Sequence, residues 1–213
     1  MPHGYRQRQR ARPARFLLGL CLACLGGGGI RAEPAVKAGV ETRVLDVHRS
    51  SADFEVKVLW LIGVHGRFGQ VHGSVTLDRE RGTVVADARI EVAAITMRNH
   101  SYEDWVKSPE FFDVADHPQI RFLSDPFPSD RLRDGGDITG MLNLRGLERR
   151  LTLRIEPSDC PDAIAGDCPV EANGTIHRSE FGMKSRRGTL SDKVELGLSV
   201  YLAKASDAQG KAQ

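Results

Sequence analysis

From residue 40 onward, hydrophobic and polar positions alternate with a period of two. Phe54, Val56, Val58 and Trp60 alternate with Glu55 and Lys57, and after Gly82 the set Val84, Ala86, Ala88, Ile90 and Val92 alternates with Asp87, Arg89 and Glu91. Ile138, Leu142 and Leu144 lead into Arg145-Gly146, after which Leu147, Leu151, Leu153 and Ile155 are faced by Glu148, Arg150, Thr152 and Arg154. That pattern predicts strands with one buried face, the last two joined as a hairpin by a tight glycine turn. Val194, Leu196, Leu198, Val200 and Leu202 repeat the alternation near the end of the chain. With 44–48, 67–77, 119–123 and 170–177, the reading gives about nine strands.

No linker or low-complexity stretch divides residues 40–203. One all-β domain is therefore expected. A closed antiparallel up-and-down barrel hides its strand edges completely, whereas a sandwich leaves edges to be covered, so the expected architecture is a single barrel. Period two fails only at NHSYEDWVKSPEFFD, residues 99–113, where Tyr102, Trp105 and Val106 fall at helical spacing. A short helix ended by Pro109 is expected there, capping one end of the barrel.

The N-terminus reads differently. Arg6, Arg8, Arg10, Arg12 and Arg15 precede an apolar stretch from Phe16 to Ile30 that contains Gly26 to Gly29, and Arg31-Ala32 stands before Glu33. The run is about 15 residues, short of the roughly 20 that span a bilayer, and the pattern is that of a secretory signal peptide occupying residues 1–32. Export to the periplasm is the corresponding expectation, and residues 204–213 read as a flexible tail.

Removing the leader changes the charge. The whole chain carries 30 Lys and Arg against 28 Asp and Glu, and six of the arginines lie in residues 1–32, which hold no acid; the remainder is 24 against 28, a net of −4. Such a chain makes no overall electrostatic case for nucleic acid. The leader also takes Cys21 and Cys24 with it, leaving Cys160 and Cys168 in DCPDAIAGDC. In an oxidising compartment these two are expected to form a local disulfide.

Candidate chemistry is sparse. His65, His72 and His117 are candidate metal ligands by residue type, but zinc ordinarily takes three or four protein ligands with supporting acceptors, and no metal or cofactor is expected. No G-x-S-x-G elbow or H-E-x-x-H helix occurs, and Asp113 and Asp116 read as shaping the turn before Pro118. Arg178-Ser179 and Arg186-Arg187 form a local basic concentration where a polar head group has a place to sit. Ala86, Ala88 and Gly140 fall at inward phase and leave room along the barrel axis for a slim ligand.

Two segments, SPEFFDVADHPQIRF at 108–122 and GTIHRSEFGM at 174–183, resemble signatures of the YceI-like family, exported lipocalin-like barrels that bind polyisoprenoid lipids. GMLNLRGLERRLTL at 140–153 and VHGRFGQVHGSVTLD at 64–78 resemble two further segments of that family in the right order. Val58 stands where the family often has a histidine, and Thr96-Met97-Arg98-Asn99 where it often has a Thr-Gly-Asn type turn. The resemblance implies a barrel around a long apolar lipid of polyisoprenoid, quinone or fatty-acyl type. The candidate lining is Phe54, Val56, Val58, Trp60, Phe68, Ala86, Ala88, Met97, Trp105, Phe111, Phe122, Leu142, Phe181 and Met183. A buried CH₂ contributes roughly 0.8 kcal/mol against about 4 to 15 kcal/mol for association, so a chain of about twenty carbons holds where one of about eight barely does. The expected function is a non-enzymatic periplasmic lipid carrier. Two alternatives stand beside it: a hydrolase of lipid or fatty amide using the same tunnel, and a module that binds a membrane redox partner handling quinones.

Overall fold

The computed structural model describes residues 39–160 and 162–204. The expected signal peptide lies outside the described residues, as does the tail after Lys204. Within them the chain is antiparallel β, with strands β1 (Val40–Val44), β2 (Ser51–Val58), β3 (Ile62–Phe68), β4 (Val71–Asp78), β5 (Thr83–Glu91), β6 (Ile95–Met97), β7 (Gln119–Ser124), β8 (Phe127–Pro128), β9 (Gly136–Leu144), β10 (Leu147–Ile155), β11 (Val170–His177) and β12 (Leu190–Val200).

The strands join into one curled sheet in the order β1-β4-β5-β7-β9-β10-β11-β12-β2-β3-β6, with β8 paired to β5. The ladder has end strands, β1 and β6, and these are not hydrogen-bonded to each other. The expected single antiparallel barrel fold is present as a sheet that curls around its core and is tied near one rim by the isolated bridge between Leu45 and Leu202. The stretch 67–77 expected as one strand is divided at Gly69-Gln70 into the end of β3, which pairs with β2 and β6, and β4, which pairs with β1 and β5.

The period-two reading accounts for the inner face. On β2, Ala52 and Phe54 are buried while Lys57 is exposed, and on β9 Ile138, Gly140, Leu142 and Leu144 are all buried. Arg145 and Gly146 at φ 53° and 69° make the tight turn into β10. Both central residues being left-handed is what a two-residue hairpin demands. Leu147 was expected on the inner face and is instead 38% exposed, because it directly follows that turn at the rim.

The helix forms as α1 (His100–Lys107). Asn99 caps it, its Oδ1 accepting from the Ser101 amide at 3.0 Å, and Ser108 returns to extended backbone immediately before Pro109. Proline disfavours helical geometry in its predecessor, which sets that end. No helix among the described residues is long and apolar enough to cross a membrane.

Cys160 and Cys168 are joined as a disulfide, with Cα atoms 6.3 Å apart.

A one-ended apolar cavity as the candidate functional site

Inside the curled sheet lies a cavity of about 570 Å³ with an almost wholly apolar wall. Of its lining residues, Ser101 and Tyr102 on α1 and Arg186 and Thr189 in the loop before β12 are exposed, so the opening lies between that helix and that loop. The opposite end of the sheet holds the buried side chains of Leu77, Val84, Phe127, Leu132, Ile138 and Ile155, none of which lines the cavity. The space is therefore a pocket with one mouth.

Three phenylalanines form an aromatic cluster in its wall. Phe54 and Phe68 have ring centroids 5.7 Å apart, and Phe112 meets them edge-on at 5.9 and 5.6 Å. Two glycines make room for such rings. A Cβ on Gly66 would overlap the Phe54 ring, and one on Gly140 would stand 2.7 Å from Phe122 Cζ. Glycine inside a strand marks such a close approach. Gly140 thus accommodates a wall residue and does not open free volume along the axis.

Most of the expected lining is at the wall: Phe54, Val56, Val58, Phe68, Ala88, Met97, Trp105, Phe111, Phe122, Leu142 and Met183. Three residues are elsewhere. Trp60 follows β2 in phase but not in structure, because the strand stops at Val58 and Leu59 and Trp60 turn the chain at φ 50° and 61°, leaving Trp60 63% exposed. Ala86 pairs with Val75 in the filled end of the sheet, and its amide donates to Ser124 Oγ at 2.9 Å. Phe181 is 1% exposed and belongs to the core, since the turn at Gly182, φ 78°, separates it from Met183, which does reach the cavity.

Further residues beyond the expected lining reach the wall. Val64 alternates with Phe68 on β3, and Ile176, Val194 and Leu196 lie on late strands already read as inward-facing or buried. Period two was signal enough for these. Phe112 carried no such signal, because it sits after α1 in a loop whose backbone bonds, Phe112 N to Val106 O at 2.9 Å and Val114 N to Lys107 O at 3.1 Å, fold it back under the helix.

Polar chemistry is confined to the mouth and its support. Trp105 Nε1 donates to Glu110 Oε2 at 2.9 Å, and the Arg186 guanidinium lies over the Trp105 ring with its Nε 3.7 Å from Glu110 Oε1. Arg178 is 2% exposed and donates to the carbonyls of Ser191, Met183, Ser185 and Leu190 at 2.6 to 3.1 Å. Burial pushes its pKa down from the ordinary guanidinium value. Arg178, expected beside Arg186 and Arg187 as a place for a polar head, reaches the cavity wall but spends four of its five donors on backbone oxygens, so its main work is to build the 183–191 segment. His65 stands on the outer face beside Glu55, 3.8 Å away and 66% exposed. Among the described residues no three His, Cys, Asp or Glu side chains gather as a metal site requires.

Comparison with known proteins agrees with this architecture. The family model described as the YceI-like domain matches residues 44–202. The chain is similar to Protein YceI of Escherichia coli O17:K52:H18, with 28% identity over 194 residues, 87% of this chain and 96% of that protein. A UPF0312 protein of Pseudomonas aeruginosa (strain LESB58) is 29% identical over 152 residues, 70% of this chain and 78% of that one. Among solved structures, BcnA of Burkholderia cenocepacia superposes with a TM-score of 0.62 at 21% identity, covering 75% of this chain and 99% of BcnA. A polyisoprenoid binding domain from Saccharophagus degradans, implicated in plant cell wall breakdown, gives 0.56 at 11% identity, covering 78% and 98%. At those identities the structural likeness speaks for the fold alone.

Proposed function

The chain belongs to the YceI-like family, and from that premise we propose that it is an exported carrier which holds one long-chain apolar lipid, of isoprenoid or acyl type, in the cavity between α1 and the sheet. The observation that carries the reading is the wall itself. An enclosure of about 570 Å³ built from Phe, Val, Leu, Ile and Met, with polar side chains mainly at one mouth, suits a ligand with a long apolar body and a single polar end. At the roughly 30 Å³ that a water or a methylene-sized unit occupies, the volume matches a chain on the order of twenty carbons. Burying that many groups exceeds the association cost with margin. The polyisoprenoid binding named for the Saccharophagus domain supports a ligand of the same class here. Binding rather than hydrolysis fits the site, because the lining holds no nucleophile with a base in hydrogen-bond reach.

Native mass spectrometry of the exported protein, with extraction of the retained lipid, tests the reading. Val58 faces the cavity and Lys57 faces solvent. Val58→Trp is expected to remove retained lipid from a protein that still folds, while Lys57→Glu keeps wild-type occupancy. A folded Val58→Trp protein with undiminished lipid would overturn the cavity as the binding site.

A further inference from the structure

The turn between β2 and β3 exposes four consecutive large apolar residues: Leu59 is 52%, Trp60 63%, Leu61 88% and Ile62 61% exposed. Singly exposed apolar residues are ordinary, but a contiguous patch at the end of a projecting hairpin is not. The backbone makes the arrangement more pointed. Leu59 and Trp60 occupy left-handed φ values of 50° and 61°, positions at which Asn or Gly is the low-energy choice. The chain accepts bulky side chains in an unfavourable conformation and directs them into solvent, which folding alone does not reward.

The surroundings identify a partner by charge. Leu59 N donates to Thr189 O at 2.7 Å and Thr189 N to Arg186 O at 3.0 Å, so the loop carrying Lys184, Arg186 and Arg187 is bonded to the hairpin. Residues 57–63 (KVLWLIG) and 183–189 (MKSRRGT) together hold four cations and no acid, in a chain whose residues 33–213 are net −4. Of the acidic groups nearby, Glu110 is engaged by Trp105 and Arg186, Asp192 by Ser179, and Glu195 by Lys193 with Lys57 in range. Arg187 and Lys184 are exposed. The same two segments form the rim of the mouth, since Val58, Arg186 and Thr189 line the cavity.

We propose that the Leu59–Ile62 tip, with Lys184 and Arg187 behind it, is a membrane-docking element that inserts into the interfacial layer of an anionic bilayer and brings the cavity mouth against the lipid surface. Apolar side chains enter the headgroup and acyl boundary while the cations meet anionic headgroups, the two contributions that govern interfacial binding. Docking does not depend on what the cavity holds, so its test is separate from retention of cargo.

The test uses vesicles of phosphatidylglycerol with phosphatidylethanolamine, against vesicles of phosphatidylcholine, with the full-length chain. Trp60 is one of two tryptophans, so quenching by brominated acyl chains is read as the difference between wild type and Trp60→Phe. The proposal expects Trp60 to be quenched in anionic vesicles and protected in neutral ones. Cosedimentation should fall roughly tenfold or more in Trp60→Ser/Leu61→Ser, a surface change whose fold is checked by circular dichroism. Lys184→Glu/Arg187→Glu is expected to weaken binding to the anionic vesicles alone, and raising salt to 1 M to do the same in the wild type. Absence of Trp60 quenching in anionic vesicles would overturn the proposal. So would a wild-type dimer that the Trp60→Ser/Leu61→Ser change converts to monomer without altering vesicle binding, which would make a second copy the occupant of the tip.

Discussion

The guanidinium of Arg186 lies 4.8 Å from the centroid of the Trp105 ring, and the two side chains share one carboxylate, Glu110. The pair bridges α1 and the loop before β12, the two elements between which the cavity opens. It is therefore a latch as well as part of the wall. A cation over an indole contributes about 0.5 to 1 kcal/mol at an exposed site. Arg186→Ala is expected to speed release of a bound fluorescent long-chain lipid by roughly twofold to fivefold, with little change in thermal stability. Stopped-flow displacement measures it, and an unchanged release rate would show that the latch does not govern exit.

Arg178 predicts the opposite balance. It donates to four backbone carbonyls, and the residue is 2% exposed. Arg178→Met should destabilise the protein by roughly 3 kcal/mol or more, since buried carbonyls are left unpaired. Urea denaturation reads the loss, and limited proteolysis should find new cuts within residues 183–190.

Gly140 tests whether the wall has slack. A Cβ there would overlap the Leu123 carbonyl oxygen and meet the Phe122 ring at 2.7 and 2.8 Å. Gly140→Ala is expected to cost about 1 to 3 kcal/mol and to lower lipid occupancy, because Phe122 must move into the cavity. Retention of both stability and occupancy would mean that the ring relocates freely.

Acid should weaken the sheet through Asp87. Arg121 grips it with two bonds of 2.9 Å and Arg89 adds a third of 2.9 Å. The Arg121 hydrogen bonds hold its pKa below the usual aspartate value against an opposing desolvation, with the Arg121 and Arg89 charges assisting. A carboxylate depressed in the folded state contributes its stability above the unfolded pKa and loses it as pH falls through the folded one. Stability should therefore decline below about pH 4, and Asp87→Asn should show a shallower decline over the same range. Equilibrium unfolding of both proteins from neutral pH down to acid checks the difference.

The Cys160–Cys168 bridge closes a short loop. In the chain-entropy view such a loop contributes about 2 to 3 kcal/mol, so reduction should lower the melting temperature without unfolding the sheet. Thiol titration of the unfolded, unreduced exported protein should find these two cysteines unreactive.

Much of this protein was legible in one dimension. Because a strand must bury alternate side chains, residues such as Phe54, Val56 and Val58 or Leu151 and Leu153 announced both their element and their face, and Asn99 with Pro109 bracketed the only long helix among the described residues. The wall was legible for the same reason, since an inward position on a curled sheet is a position facing its interior. What period cannot express is where a strand stops and which part of an interior is filled. Trp60 kept the rhythm of β2 yet lies past its end. Ala86 and Ala88 share one face of one strand, but Ala86, paired with Val75, lies outside the cavity and Ala88 lines it. Those outcomes depend on side chains distant in sequence competing for the same volume, as do the burial of Arg178 under four carbonyls and the folding of Phe112 beneath α1. Only the tertiary structure decides them.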